Sequence, residues 1–317
     1  MLNDLTFNAL SNLTEEEARA QLERIRWPDG PVCPRCESAD VVAINGKSKS
    51  VRPGLYRCLE CRKQGLTQDQ FTVTVGTIFE DSKIPLKKWL MAFHLMCASK
   101  KGISALQLQR MLDLGSYQTA WHMAHRVRCA MEEEPLASRL KGVVEADEMY
   151  TVGGGGRHAP KWGRKKGGAG TVKAPVMTVA ERDGRIKAKH VEPLNSGTMH
   201  KMIRESVDVE RSTLMTDEHR AYPGVGWQFW GGHKTVKHSL REYVRGDAHV
   251  NTCESFHALF KRGVHGTFHH VSRKHLNRYL NESAFRWDNR KVTDSERTRE
   301  ALKRLEGRRL MLKDLVK

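Results

Sequence analysis

The sequence predicts an α/β protein: a mixed-sheet core preceded by a small cysteine ribbon and a helical helix-turn-helix region. Three observations carry this expectation. Four of the seven cysteines form two C-x-x-C pairs near the N-terminus. Apolar residues then recur at helical spacing over residues 85–131, and from residue 141 the pattern changes to strict alternation. After that change, strands come first as a hairpin group and then alternate with helices, the order expected of a mixed sheet.

A chain of 317 residues suits two or three domains. We place an N-terminal helix and ribbon over residues 1–80, a helix-turn-helix region over 81–135, the α/β core over 141–292 and a charged C-terminal helix over 293–317. Thr14 and Glu17 form a capping box that opens a helix to about Arg26, where Trp27-Pro28 ends it. Residues 71–75 alternate and predict a strand. Residues 85–99, 103–112 and 117–131 predict three helices, and the short Gly115-containing turn between the last two is the helix-turn-helix spacing.

In the core, residues 143–150 predict a strand and 153–173 a loop rich in glycine and basic residues. Strands over 175–180 and 186–191 flank an Asp183-Gly184 turn. A helix is expected over 196–207, short strands over 213–216 and 235–238, and helices over 251–262 and 272–287. The tail from Asp294 reads as one charged helix whose Leu302, Leu305, Met311 and Leu315 form a possible partner face.

Lysine and arginine number 54 against 37 acids, a net charge of +17. So basic a chain attracts polyanions, nucleic acid first among them. No apolar run spans a bilayer and no signal-peptide pattern opens the chain, so neither a membrane partner nor secretion is expected. Cys97, Cys129 and Cys253 stand singly within apolar segments. Together with the C-x-x-C pairs, they indicate reduced thiols plus a metal site and hence a cytoplasmic protein.

Cys33, Cys36, Cys58 and Cys61 have the spacing of a tetrahedral Zn²⁺ site. Four thiolates leave no open position, so one structural Zn²⁺ is expected. Three acids lie at element ends: Asp147 in an apolar strand, Asp217 just after a strand, and Glu254 in the first turn of a helix. An acid inside an apolar strand is costly unless it binds something. Alternation puts Asp147 on the face of Glu145, with Glu148 facing the other way. Glu148 rivals Asp147, and Glu218 rivals Asp217. Glu254, His257 and Lys261 follow helical spacing along one polar stripe, while Phe256, Leu259 and Phe260 lie toward the other side. Two Asp and one Glu offer the hard oxygen ligands that a pair of Mg²⁺ ions requires.

These blocks resemble bacterial insertion-sequence transposases with an N-terminal zinc ribbon and a DDE core, the IS1595 family. The resemblance covers nearly the whole chain. It rests on Cys33-Pro-Arg-Cys36 with Tyr56-Arg-Cys58-Leu-Glu-Cys61, on Val144-Glu-Ala-Asp147-Glu-Met-Tyr150, and on Thr216-Asp217-Glu-His-Arg-Ala-Tyr222. The longest block runs from His249 through Glu254 and Lys261 to Gly263, and it continues in Gly266-Thr-Phe-His-His270 and Phe285-Arg-Trp-Asp-Asn289-Arg290. The resemblance implies an RNase H-like fold. It implies Asp147, Asp217 and Glu254 as catalytic ligands of two Mg²⁺ (or Mn²⁺) ions, and Lys261 as a DNA contact.

The expected activity is cleavage at terminal inverted repeats followed by joining of the freed 3′ ends to target DNA. A homo-oligomer is expected, because two element ends must be paired. Arg157, Lys161, Arg164, Lys165 and Lys166, in the basic loop, are expected to grip phosphates without reading sequence. A non-catalytic DNA-binding regulator built on the same N-terminal modules, and a nuclease that cuts without joining, are the alternatives.

Overall fold

The structure is a computed structural model that describes residues 5–44, 52–133, 139–153, 173–219, 221–240, 242 and 244–316. The chain divides into two compact units. One comprises Met1–Met131 with Val292–Lys317, and the other comprises Glu132–Lys291.

The first unit begins with α1 (Phe7–Ser11) and α2 (Glu15–Arg26). The capping box forms as expected: Thr14 N–H donates to Glu17 Oε2 at 2.7 Å and Glu17 N–H to Thr14 Oγ1 at 3.2 Å. A three-stranded antiparallel sheet follows, from β1 (Val41–Ala43), β2 (Tyr56–Cys58) and β3 (Gln70–Phe71), with α3 (Leu59–Lys63) after β2. Trp27 packs edge-on against Tyr56 and Phe71, which ties α2 to this sheet.

The strand expected over residues 71–75 stops at Phe71. Its threonines bond locally instead, with Thr77 Oγ1 donating to Thr74 O at 2.6 Å and the Thr72 and Thr74 hydroxyls paired at 2.9 Å. Hydroxyl side chains of this kind compete with the ladder for backbone partners.

Next come α4 (Leu86–Ala98), α5 (Ala105–Met111) and α6 (Tyr117–Ala130). Ser104 and Ser116 cap the last two by accepting from Gln107 N–H and Thr119 N–H, both at 3.1 Å. The turn between them buries Leu112 and Leu114.

The second unit is built on β4 (Leu140–Gly153), β5 (Lys173–Glu181), β6 (Ile186–His190), α7 (Ser196–Ser206), β7 (Val207–Thr216), α8 (Pro223–Gly226), β8 (His233–Thr235), α9 (Asn251–Gly263) and α10 (Leu276–Asp288). Its five-stranded sheet has the order β6-β5-β4-β7-β8. The first three strands pair antiparallel, and β7 lies parallel to both β4 and β8. The hairpin turn falls at Asp183 (φ 60°) and Gly184, as the sequence indicates.

Alternation sorts the sheet's side chains into two cores. Val144, Ala146 and Val179 pack with Met199, Ile203 and Tyr222 on the α7 face. Met149, Val176 and Ala180 pack with Cys253, Phe256, Phe260 and Leu280 on the α9 and α10 face.

The tail is not the single helix expected. It forms α11 (Asp294–Lys303) and α12 (Leu312–Val316), with a break at Gly307 in the left-handed region (φ 66°). Leu302, Leu305 and Leu315 are buried and Met311 is half-buried, so this face is consumed within the first unit rather than offered to a partner. Glu306 takes both Arg26 contacts at 2.8 Å, and Arg297 Nη1 donates to Cys97 O at 3.1 Å. Among the described residues no helix is long and apolar enough to cross a membrane.

Candidate active site

Two clusters of potential ligands stand out among the described residues. The first is Cys33, Cys36, Cys58 and Cys61, whose sulfurs all lie within 4.8 Å of one another. The Sγ separations are 3.7 Å (Cys33–Cys61), 3.5 Å (Cys36–Cys58) and 3.4 Å (Cys36–Cys61). A tetrahedron with Zn–S bonds of about 2.3 Å has edges of about 3.8 Å, so the donor set fits Zn²⁺ in both chemistry and size. Cys33 and Cys36 come from the turn before β1, and Cys58 and Cys61 from the junction of β2 and α3. Burial opposes ionisation of Cys33, but the N–H groups of Arg35 and Cys36 and the neighbouring thiols bring its pKa down to about 7.

The second cluster is Asp147, Glu148 and Asp217, again with one carboxylate oxygen of each within 4.8 Å of the others. Sheet register explains the meeting of the two aspartates. β4 and β7 run parallel with Ala146 opposite Thr216, so the next residue of each strand is Asp147 or Asp217. Glu148 does face the other side of the sheet from Asp147, toward Tyr222. Its carboxylate nevertheless joins the cluster, because β7 ends at Thr216 and among the described residues no strand separates the two faces there.

Burial, then the Asp217 and Glu148 charges, push the Asp147 carboxyl up to about 7. Burial and Asp217 push Glu148 up to about 7 as well. The fully buried Tyr222 hydroxyl faces Glu148 and lowers its pKa, but completes no ordinary hydrogen bond among the described residues. Crowded oxygen donors that resist ionisation together suit a hard divalent cation such as Mg²⁺.

Glu254 sits in the first turn of α9, exposed to solvent and outside this tight group, and its charge is the weakest of those raising Asp147. Glu218 turns away from the cluster and accepts from Ser239 N–H at 2.8 Å and Ser239 Oγ at 2.7 Å. Lys261 lies half-buried in the last turn of α9. Arg157, Lys161, Arg164, Lys165 and Lys166 lie outside the described residues.

Two further residues shape the site without having been singled out for that role. His257 is buried rather than on an open polar stripe. Its Nδ1 lies 3.4 Å from Asp147 Oδ2 and its Nε2 lies 2.9 Å from Thr178 Oγ1. Burial, with Lys261 adding to it, lowers its pKa to about 3, so the ring is neutral.

Glu145 is fully buried and anchors α9 to β4. It accepts from Thr252 N–H at 2.7 Å, Thr252 Oγ1 at 2.9 Å and Arg182 Nε at 3.0 Å, with His249 Nδ1 at 3.3 Å. A carboxylate at a helix N-terminus satisfies orphan N–H groups and complements the dipole. The sequence signal for this role was the second acid in an apolar strand, on the same face as Asp147.

Residues 139–288 match the ISXO2-like transposase domain, and residues 13–64 match the transposase zinc-ribbon domain. An "uncharacterized protein in transposable element ISH50" of Halobacterium salinarum is 31% identical over 278 residues, spanning 84% of this chain and 89% of that protein. No solved structure matches the chain.

Proposed function

The chain belongs to the IS1595 family of insertion-sequence transposases, and from that membership we propose that it cleaves the terminal inverted repeats of its element and joins the 3′ ends to target DNA. The observation that carries this reading is the meeting of Asp147 and Asp217 at the ends of adjacent parallel strands, in a crowded carboxylate cluster. The sheet order β6-β5-β4-β7-β8, antiparallel then parallel, supports an RNase H-like core.

Asp147, Asp217 and Glu254 are the catalytic ligands, contributed by β4, the end of β7 and α9. Two divalent cations, Mg²⁺ or Mn²⁺, would supply activation of the attacking oxygen and stabilisation of the leaving oxygen in displacement at phosphorus. His257, neutral and held by Thr178, fixes one oxygen of Asp147. The Glu145 network fixes the start of α9 and so the approach of Glu254. The Phe256 and Phe260 core excludes water from behind Asp147.

DNA is held elsewhere on the chain in this reading. The zinc ribbon and the α5–turn–α6 pair, read as helix-turn-helix, bind the element ends. Lys261 and the basic residues of the 153–173 loop hold phosphates. The enzyme works in the cytoplasm as a homo-oligomer that pairs two ends. The test is incubation of the purified protein and Mg²⁺ with duplexes carrying the element's own ends. Cleavage exposing a 3′-hydroxyl at the repeat boundary is the expected product, and its absence in both Mg²⁺ and Mn²⁺ overturns the proposal.

A further inference from the structure

We propose that Glu148 is a direct ligand of the first divalent cation, together with Asp147 and Asp217, and that Glu254 is not needed for that cation to bind. The proposal rests on the metal-dependent reading above and concerns which side chains hold the ion.

Geometry brings Glu148 in from a different side than its neighbour. Asp147 reaches the cluster from the α9 face of β4, Glu148 from the α7 face, and Asp217 from the end of β7. The three converge where β7 has stopped, and their carboxylate oxygens fall within 4.8 Å. Glu254 is outside that group and exposed.

The surroundings of Glu148 separate a ligand from a structural acid. Its side chain is 7% exposed, yet Oε1 is buried with no hydrogen-bond partner among the described residues. The half-exposed His219 places its Nδ1 3.5 Å from that oxygen. The fully buried Tyr222 hydroxyl faces Glu148 and lowers its pKa, but it completes no ordinary hydrogen bond with it.

Buried carboxylates that serve packing are given donors, because an unmatched one costs the full desolvation of the group. The same strand supplies the contrast. Glu145, three residues earlier, receives Thr252 N–H, Thr252 Oγ1 and Arg182 Nε. The exposed Glu218, after β7, accepts from Ser239. Glu148 alone of these three acids is buried with an oxygen lacking a donor, and it is the one beside Asp147 and Asp217. A divalent cation held with Asp147 and Asp217 would give that carboxylate the partner it lacks.

The experiment is titration of the full-length, zinc-loaded protein with Mn²⁺ in the absence of DNA, followed by calorimetry and by the electron paramagnetic resonance of free Mn²⁺. Glu148→Gln is expected to weaken the first Mn²⁺ by about tenfold or more, a loss comparable to that of Asp217→Asn, whereas Glu254→Gln leaves it within about threefold of wild type. Glu148→Asp, which keeps the charge on a shorter arm, is expected to fall between wild type and Glu148→Gln. It also serves as the test should the Gln variant fail to fold.

Wild-type affinity in Glu148→Gln, or in Glu148→Asp if that variant alone folds, overturns the inference while leaving the Asp147–Asp217 reading intact. An equal loss in Glu254→Gln overturns the distinction between the two glutamates. A wild-type protein that binds no Mn²⁺ overturns this inference and the metal-dependent reading together.

Discussion

Asp147 and Glu148 illustrate how side-chain crowding becomes a measurable pH dependence. Both carboxyls are raised to about 7 in the folded chain, well above their ordinary 3.8 and 4.5. Between those values the folded state holds protons that the unfolded state has released. Unfolding free energy therefore falls as pH rises through this window, and below about pH 4 the two groups contribute no penalty. We expect the metal-free protein to lose stability from pH 5 to pH 8 relative to an Asp147→Asn, Glu148→Gln double variant, by on the order of a few kcal/mol. Mg²⁺ is expected to remove the difference. Parallel stability curves for the two proteins across this range contradict the electrostatic account.

The same scale separates acids by role. Asp147→Ala, Asp217→Ala and Glu254→Ala are each expected to abolish cleavage and joining while leaving binding to an element end within about threefold of wild type, because phosphate contacts elsewhere dominate affinity. Glu218→Ala is expected to keep substantial activity, since that side chain bonds Ser239 instead. An inactive Glu218 variant with unaltered folding would place it in the site after all. Comparison of strand cleavage and gel-shift titrations for the four variants reads both quantities.

At the level of elements, Glu145 holds the start of α9 against β4. Glu145→Ala strands Arg182 and the first N–H groups of α9 without their acceptor. Removing one partner of a buried ion pair costs about 3–5 kcal/mol. A marked drop in melting temperature is therefore expected, while Glu145→Gln, which retains one carbonyl acceptor, loses less. Equal melting points for wild type and Glu145→Ala contradict the anchoring role. In the first unit, chelation of zinc is expected to unfold the ribbon around Cys33, Cys36, Cys58 and Cys61 while circular dichroism of the core persists, since folding of such modules is coupled to the metal.

Elements also mark where the sequence was readable. The cysteine spacing, the Asp183-Gly184 turn and the strand-end position of Asp217 are local signals, and each appears where expected. Alternation placed Glu148 on the opposite face correctly, but it carries no knowledge of where the neighbouring strand ends. Its approach to Asp217 was therefore hidden. Helical spacing grouped His257 with Glu254, whereas packing against β5 buries it. The strand at residues 71–75 failed for a similar reason: threonine hydroxyls took backbone partners that alternation assigns to a ladder. The tail's leucine face was visible, but which surface it covers depends on contacts far away in sequence.

For the whole molecule, the discontinuous first unit has a direct consequence. Leu302, Leu305 and Leu315 are buried in it, and each buried leucine is worth about 2–5 kcal/mol. A chain ending at Lys291 is expected to lose cooperative unfolding in its N-terminal unit, and adding a peptide of residues 292–317 restores it. A net charge of +17 further predicts DNA affinity that falls steeply with salt, through counterion release.

The proposed role of Asp147 and Asp217 is metal-dependent DNA strand transfer. Its most direct test supplies a pre-cleaved element end with an exposed 3′-hydroxyl, which isolates joining from cutting. Wild-type protein is expected to join that end to plasmid DNA in Mg²⁺ and not in EDTA, and Asp147→Asn and Asp217→Asn are expected to bind the end but form no joined product. Joining that survives either substitution, or that proceeds in EDTA, contradicts the account.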